Sequence, residues 1–223
     1  MMRVIYNEQL KQLHDELVDM GRLCESAIDS AMKSLFGSDK SMAQRTQELE
    51  KEIDEKERAI ETLCMKLILR QQPVAGDLRK VSSALKMISD MERIGDQAQD
   101  IADISRFLGG SVIICEVHLK DMAQAVTKMV NDSIDAYVNA STEMAENVIL
   151  YDNIVDDLFV KIKSEIIQEV VKNSDKGEEL FDIMMVTKYL ERIGDHACNI
   201  AEWVIYSVTG SHKLEKDTDN SSK

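Results

Sequence analysis

The pentapeptide Glu-Arg-Ile-Gly-Asp occurs twice in this chain, at residues 92–96 and 191–195. In each copy the two acidic residues are four positions apart, so a helix would place both carboxylates on one face. Like charges at this spacing repel each other and destabilise a helix mildly. A sequence that repeats such a pair therefore indicates that a cation, or a partner with a basic surface, compensates the charge.

A second pair of acids precedes the first pentapeptide at a matching distance. Glu50 and Asp96 each lie 23 residues from Pro73, and Asp54 and Glu92 each lie 19 residues from it. In an antiparallel helical hairpin, two residues that are equally far from the turn lie level with each other. Because proline suits a loop rather than a helix interior, the four carboxylates are predicted to meet at one height of the hairpin.

The second pentapeptide has the same arrangement about a different turn. Asp152 and Asp195 are equally far from the midpoint of residues 173–174, and so are Asp156 and Glu191. Four level carboxylates repel one another unless something positive lies among them. Oxygen ligands suit magnesium, calcium, manganese or iron, and zinc also accepts carboxylates. The sequence thus predicts two sites for divalent or ferric metal ions.

The acidic stripe also has a simpler interpretation. On the helix that carries the first pentapeptide, Asp100 continues the acidic face, while Ile94 and Ile101 lie on the opposite side. Any amphipathic surface helix shows an acidic stripe opposite an apolar one. Arg93 and Arg192 could neutralise the neighbouring acids without a metal. A solvated face of ion pairs therefore remains the alternative to a metal site.

The pentapeptides belong to a longer duplication. Residues 92–102 read ERIGDQAQDIA and residues 191–201 read ERIGDHACNIA, and the upstream acid pairs recur at a slightly different offset. Each copy reads as three long helices, so we predict an all-α protein built as a tandem duplication of a three-helix bundle, with six long helices. The predicted repeats are residues 1–110 and 111–209, followed by a disordered tail at 210–223.

The composition supports this all-helical prediction. The chain has 223 residues with one proline and nine glycines, and only 4% of the residues are aromatic. Ser41 and Gln44 have the spacing of a capping box, which predicts Ser41 as the N-cap of the second helix. Breaks between helices are predicted near residues 37–39, 72–76, 109–111, 139–141 and 173–175.

Charge and cysteine content limit the function classes. The net charge of −14 argues against nucleic acid, whose binding rests on Lys and Arg, and against a basic membrane-surface patch. No apolar run approaches the roughly 18 residues of a membrane span, and the N-terminal residues lack the pattern of a signal peptide. Cys24, Cys64, Cys115 and Cys198 are widely spaced. We expect reduced cysteines in a cytoplasmic protein.

The chain resembles the PhoU family, whose members regulate bacterial phosphate uptake. The resemblance rests on both pentapeptides, on Met20-Gly21 and on the stretch QQPVAGDLR at residues 71–79, and it covers nearly everything from residue 5 to residue 210. It implies quasi-twofold symmetry between the two bundles and metal-binding E(D)-x-x-x-D motifs on their surfaces. The implied ligands, with the next position along each stripe, are Glu50, Asp54, Glu92, Asp96, Asp100, Asp152, Asp156, Glu191, Asp195 and Asn199.

The resemblance also implies a role. PhoU-like proteins dampen phosphate-starvation signalling when phosphate is plentiful, so the expected partners are the ATP-binding subunit of the phosphate ABC transporter and the phosphate-responsive sensor histidine kinase. We also expect a homodimer. No enzymatic activity is expected, since the sequence has no glycine-rich phosphate loop, no nucleophile elbow and no inward-facing Glu-x-x-His motif. A carboxylate-bridged metal hydrolase or oxidase and a metal-free helical scaffold are the alternatives.

Overall fold

The computed structural model describes residues 2–37, 39–71, 73, 75–108 and 116–211. Within these residues the chain forms six α-helices and no strand, which confirms the predicted all-α class. A 3-10 turn at Ser174–Lys176 precedes the last helix. The helices are α1 (Met2–Gly37), α2 (Lys40–Gln71), α3 (Gly76–Ser105), α4 (Glu116–Val138), α5 (Thr142–Lys172) and α6 (Gly177–Thr209).

Four of the predicted helix breaks coincide with helix ends in the structure. They separate α1 from α2, α2 from α3, α4 from α5, and α5 from α6. The other predicted features lie outside the described residues. These are the break at residues 109–111, the repeat boundary between residues 110 and 111, Cys115, and residues 212–223 of the tail.

The predicted N-cap of α2 is wrong by two residues, because Asp39 caps the helix in place of Ser41. The Oδ1 atom of Asp39 accepts hydrogen bonds from the Ser41 hydroxyl at 2.7 Å and from the Ser41 backbone N–H at 2.9 Å. These hydrogen bonds hold the pKa of Asp39 below its usual range. An ionised carboxylate also complements the positive end of the helix dipole, which a neutral hydroxyl does not.

Each set of three helices forms one bundle, and the two bundles are related by quasi-twofold symmetry. Helices α1, α2 and α3 pack against one another, and α4, α5 and α6 do the same. The bundles meet through α3 against α6 and α1 against α4, whereas α2 and α5 pack almost entirely within their own bundles. Since α1 corresponds to α4 and α3 to α6, this arrangement confirms the predicted tandem duplication.

The apolar stripes of the helices form one core that runs through both bundles. Ile94 and Ile101 of α3 are fully buried, as are the equivalent Ile193 and Ile200 of α6. Burial of these stripes leaves the acidic face of each helix at the outer side of the α2–α3 and α5–α6 contacts, where solvent reaches it.

The glycines of the two pentapeptides allow the neighbouring helix to approach closely. A Cβ atom at Gly95 would lie 3.0 Å from Cδ1 of Ile53 on α2, and one at Gly194 would lie 3.3 Å from Oδ1 of Asp152 on α5. Although glycine lowers helix stability by about 1 kcal/mol, its missing side chain gives room to α2 and α5. The close approach brings the acid pairs of adjacent helices together.

Gly21 makes an equivalent close contact between the bundles, where a Cβ atom would lie 2.8 Å from Cγ1 of Ile134 on α4. We expect Gly21→Leu to lower the free energy of unfolding by about 1–3 kcal/mol, because the added side chain overpacks the contact of α1 with α4. Urea denaturation followed by circular dichroism measures this change.

Gly177→Ala is the matched control for this substitution. No described atom lies within 4 Å of a Cβ atom at Gly177, whose backbone φ is −57°, an ordinary helical value. Its stability is therefore expected to stay the same or to rise slightly, by about 0.4–1 kcal/mol. Equal unfolding midpoints for Gly21→Leu and the unmodified protein would contradict the close contact at Gly21.

Candidate metal centre

The packing of α2 on α3 places the first set of acids together. Burial raises the pKa of Glu50, and the charges of Asp54 and Asp96 raise it further. Burial raises the pKa of Glu92, the charge of Asp96 raises it further, and Arg93 partly offsets this rise, with smaller contributions from Glu57 and Asp54. A Cβ atom at Gly95 of α3 would lie 3.0 Å from Ile53 of α2, and the charge of Asp96 acts on Glu50. The acid pairs of the two helices therefore lie at neighbouring heights, as expected from their distances to the turn.

The packing of α5 on α6 assembles the second set in the same way. Burial raises the pKa of Asp152 to about 6, together with the charges of Asp156, Asp195 and Glu191. Burial and the charge of Glu191 also raise the pKa of Asp195, with a smaller contribution from Asp156. Each bundle therefore carries one cluster of four acids, which we call the first and second acidic clusters.

Basic side chains neutralise part of the first acidic cluster. Arg93 forms ion pairs with Asp96 at 2.8 Å and with Glu92 at 3.3 Å, and Arg58 forms one with Asp54 at 2.9 Å. The side chains of Asp54 and Asp96 are 30% and 32% exposed, so solvent and ions reach them. Exposed ion pairs contribute only about 0–1 kcal/mol each, so a multivalent cation that contacts several carboxylates can displace them.

The donor chemistry of both clusters fits a hard metal ion, since four carboxylates supply only oxygen ligands. In the second cluster Lys188 pairs with Glu191. In the part of the chain that the structure describes, no three His, Cys, Asp or Glu side chains converge in a geometry that could hold an ion. Metal binding would therefore require some of these side chains to turn away from their arginine and lysine partners. The carboxylates that would hold the metal are Glu50, Asp54, Glu92 and Asp96 in the first cluster and Asp152, Asp156, Glu191 and Asp195 in the second.

The two outer candidates, Asp100 and Asn199, lie at the seam between α3 and α6. The Nδ2 atom of Asn199 donates to Oδ1 of Asp90 at 3.0 Å, so its amide is directed at the opposite bundle. Burial and the charge of Asp96 raise the pKa of Asp100, while Arg192 of the opposite bundle partly offsets that effect. Asp100 thus extends the first cluster toward the seam, and Asn199 takes part in a contact between the bundles.

Residues outside the sequence-predicted ligand set also lie at these sites. Cys198 lies beside Asp152, and burial followed by the charges of Asp152 and Asp195 raises the pKa of its thiol to about 12. The Nδ1 atom of His196 lies 2.9 Å from Oδ1 of Asp90. Helical spacing places Cys198, three positions after Asp195, on the same face as the acids, although it is not among the predicted ligands. No local pattern points to Asp90, because its partners belong to the other bundle.

The chain matches a known family along most of its length. Residues 17–105 and 119–204 match the family model described as the PhoU domain. The chain belongs to the PhoU family. Over 214 residues it is 37% identical to a PhoU homolog of Clostridium acetobutylicum, and this alignment covers 94% of the chain and 97% of that protein. That relative is named a phosphate-specific transport system accessory protein.

Crystal structures of other PhoU family members show the same fold. PhoU from Pseudomonas aeruginosa has a TM-score of 0.88 at 33% identity, and the match covers 92% of this chain and all of that one. The phosphate transport system regulatory protein PhoU from Streptococcus pneumoniae has a TM-score of 0.85 at 26% identity, with 93% and 98% covered. The six-helix arrangement described above is therefore that of the PhoU family.

The raised pKa of Asp152 predicts how the stability of this PhoU family member depends on pH without metal. A carboxyl with a pKa of about 6 in the folded state and about 3.9 in the unfolded state holds its proton more tightly when folded. The free energy of unfolding therefore falls as the pH rises from about 4 to about 6, because the folded protein must then give up this proton. We expect Asp152→Asn to raise the free energy of unfolding at pH 7.5 by about 1 kcal/mol, after allowance for solvent screening.

At pH 4 the same substitution should change little, because Asp152 is already protonated in the folded protein. Urea denaturation of EDTA-treated protein at both pH values measures the difference. Asp157→Asn, an exposed acid on the same helix, is the matched control. If Asp152→Asn is no more stable than this control at pH 7.5, burial and the neighbouring acids together do not destabilise the ionised Asp152 side chain.

Proposed function

We propose that this protein is a non-enzymatic regulator that lowers phosphate uptake and phosphate-starvation signalling when phosphate is plentiful. The observation that carries the proposal is the pair of acidic clusters, built from equivalent residues at equivalent places in two bundles. The names of its relatives, which describe accessory proteins of phosphate-specific transport, support the phosphate part of the proposal.

In this proposal the carboxylates of each acidic cluster hold a divalent or ferric metal ion, of iron, zinc, manganese or magnesium. Burial raises the pKa of Glu50 and Asp152, and repulsion from the neighbouring acids raises it further. That repulsion supports the proposal, because a bound cation relieves it. Such an ion supplies positive charge to a face that is otherwise acidic. The affinity of that face for a basic protein surface then depends on metal occupancy.

The proposed partners are the ATP-binding subunit of the phosphate ABC transporter and the phosphate-responsive sensor histidine kinase, and the protein acts in the cytoplasm as a homodimer. The net charge of −14 supports docking on basic surfaces, since charge complementarity steers association. Among the described residues, no helix combines the length and the apolar character that a bilayer span requires.

The metal part of the proposal predicts a thermal shift. Manganese chloride should raise the melting temperature of the protein, because an ion at about 100 times its Kd stabilises the folded state by about 2.7 kcal/mol per site. Glu92→Gln with Asp96→Asn should remove the response of the first cluster only. Addition of Glu191→Gln and Asp195→Asn should abolish the response. Differential scanning fluorimetry and metal analysis of the purified protein give the shift and the stoichiometry.

Asp15→Asn with Asp19→Asn is the matched control, because these exposed acids have the same spacing on α1. It should respond to manganese like the unmodified protein. The quadruple variant combines Glu92→Gln, Asp96→Asn, Glu191→Gln and Asp195→Asn. A full response to manganese from this variant would show that the metal sites are assigned to the wrong residues. Hydrolysis of p-nitrophenyl phosphate by the metal-loaded protein would favour the alternative of a metal-dependent hydrolase.

The regulatory part of the proposal predicts the effect of gene deletion in the native host. Loss of the protein should activate phosphate-starvation reporters in phosphate-rich medium, because the brake on signalling is removed. The unmodified gene and the Asp15→Asn, Asp19→Asn control should restore repression, and the quadruple variant should not. Normal repression in the deletion strain, with no paralogue to replace the protein, would contradict the proposed function.

A further inference from the structure

A cavity of about 500 Å³ lies where the beginnings of α1 and α3 meet the ends of α4 and α6. Four basic side chains line it, Lys11, His14, Arg79 and Lys80, and none of the described residues in its wall is acidic. In a protein whose net charge is −14, such a concentration of basic groups is unusual. The cavity is formed at the amino end of α3, two turns or more from the acidic residues in the middle of that helix.

One donor atom in this wall has no hydrogen-bond acceptor among the described residues. It is the buried Nε atom of Arg79. Its guanidinium lies against Gly210 at the end of α6, where a Cβ atom would be 3.4 Å from both Cζ and Nε. Because leaving a buried donor unpaired is unfavourable, especially on a charged group, an acceptor in the cavity would stabilise this arrangement.

The amino end of α3 is an unfavourable place for basic side chains. The free N–H groups at the start of a helix carry partial positive charge, so acids are favoured there and bases are not. Arg79 and Lys80 nevertheless follow closely on Gly76, the first residue of α3, and Ala75 provides no side-chain cap. Asp77 in the same turn lies near Tyr6 and does not line the cavity.

The second repeat provides an internal comparison. Counted from the two pentapeptides, Arg79 and Lys80 correspond to Glu178 and Glu179 at the start of α6. Helix α6 thus begins with acids, as its dipole favours. The fold therefore does not require basic residues at this position, and the basic wall distinguishes one repeat from the other.

The basic side chains that line the cavity outweigh the partial charges of the helix ends around it. The carboxyl ends of α4 and α6 each contribute about −0.5 charge, and the amino end of α3 contributes about +0.5. Lys11, Arg79 and Lys80 together add three full positive charges. An anion therefore gains more from the basic side chains than it loses to the two helix ends.

We propose that this cavity binds a phosphate-class anion, either free orthophosphate or the phosphoryl group of a small metabolite. Arg79 offers the planar array of N–H donors that matches phosphate oxygens. The cavity also contains the ring of Tyr137 stacked on His14, with their centroids 5.4 Å apart. A volume of about 500 Å³ lies in the range of small-molecule sites and leaves space for the organic part of a metabolite. Anion binding at this cavity requires neither metal at the acidic clusters nor the proposed regulatory role.

Isothermal titration calorimetry of the full, EDTA-treated chain tests the proposal, with sodium phosphate and adenosine 5′-monophosphate as probes. Sodium chloride at the same ionic strength gives the blank. Saturable binding at one site per chain is expected. Equal Kd values for the two probes would identify free phosphate as sufficient, and tighter binding of the nucleotide would identify a phosphorylated metabolite. If neither probe gives saturable heat above the blank, the proposal is wrong.

Arg79→Gln with Lys80→Gln should raise the Kd by about tenfold or more, because hydrogen bonds to charged groups are lost. Lys163→Gln with Lys172→Gln removes the same charge from exposed positions on α5 and should leave the Kd unchanged. If the Arg79 variant does not fold, Lys80→Gln alone, at an exposed position, should still weaken binding. If every folded variant at Arg79 or Lys80 has the same Kd as the α5 control, the anion does not bind in this cavity.

Discussion

The packing of α3 against α6 is the contact on which the rest of the structure depends. Each of these helices buries apolar side chains within its own bundle and also against the other bundle, so most of its circumference is enclosed. The acidic stripe is what remains toward solvent, beside α2 in one bundle and α5 in the other. The seam itself carries polar contacts, since Asp90 accepts from Asn199 and lies 2.9 Å from His196.

The same packing brings like charges together, and the apolar burial outweighs their repulsion. Ile53 is almost fully buried against Gly95, and burial of such a side chain contributes about 1.5–3 kcal/mol. Repulsion between exposed acids on a helix opposes folding by only about 0.2–0.5 kcal/mol per pair. The free energy of burial therefore exceeds that of the repulsion. The acids stay close together with raised pKa values, and arginine and lysine side chains neutralise part of their charge. The packing of the helices therefore holds concentrated negative charge at the surface of each bundle.

The two repeats keep what packing requires and differ where side chains reach solvent or the seam. The pentapeptide glycines and buried isoleucines occur in both repeats, where the neighbouring helix comes within 3.0 Å of a Cβ atom at Gly95 and within 3.3 Å of one at Gly194. By contrast, Asp100 corresponds to Asn199, so the two clusters differ in charge at their outer ends. The amino ends of α3 and α6 also differ, since Arg79 and Lys80 of α3 stand where α6 has Glu178 and Glu179. The duplication thus supplied two similar frameworks that could acquire different ligands.

Local patterns were sufficient for much of this structure. Turn residues marked the helix ends, and equal distances from a turn placed Glu50 level with Asp96, because an antiparallel hairpin has only one register once its turn is known. The N-cap of α2 was missed because Asp39 and Ser41 compete for the same position, and the charged group complements the helix dipole. Contacts between the bundles had no such local signal: Asp90 of α3 lies 2.9 Å from His196 of α6, and Arg79 of α3 lies against Gly210 at the end of α6. A helical period specifies the face on which a residue lies, but which distant face lies opposite depends on how six long helices pack together.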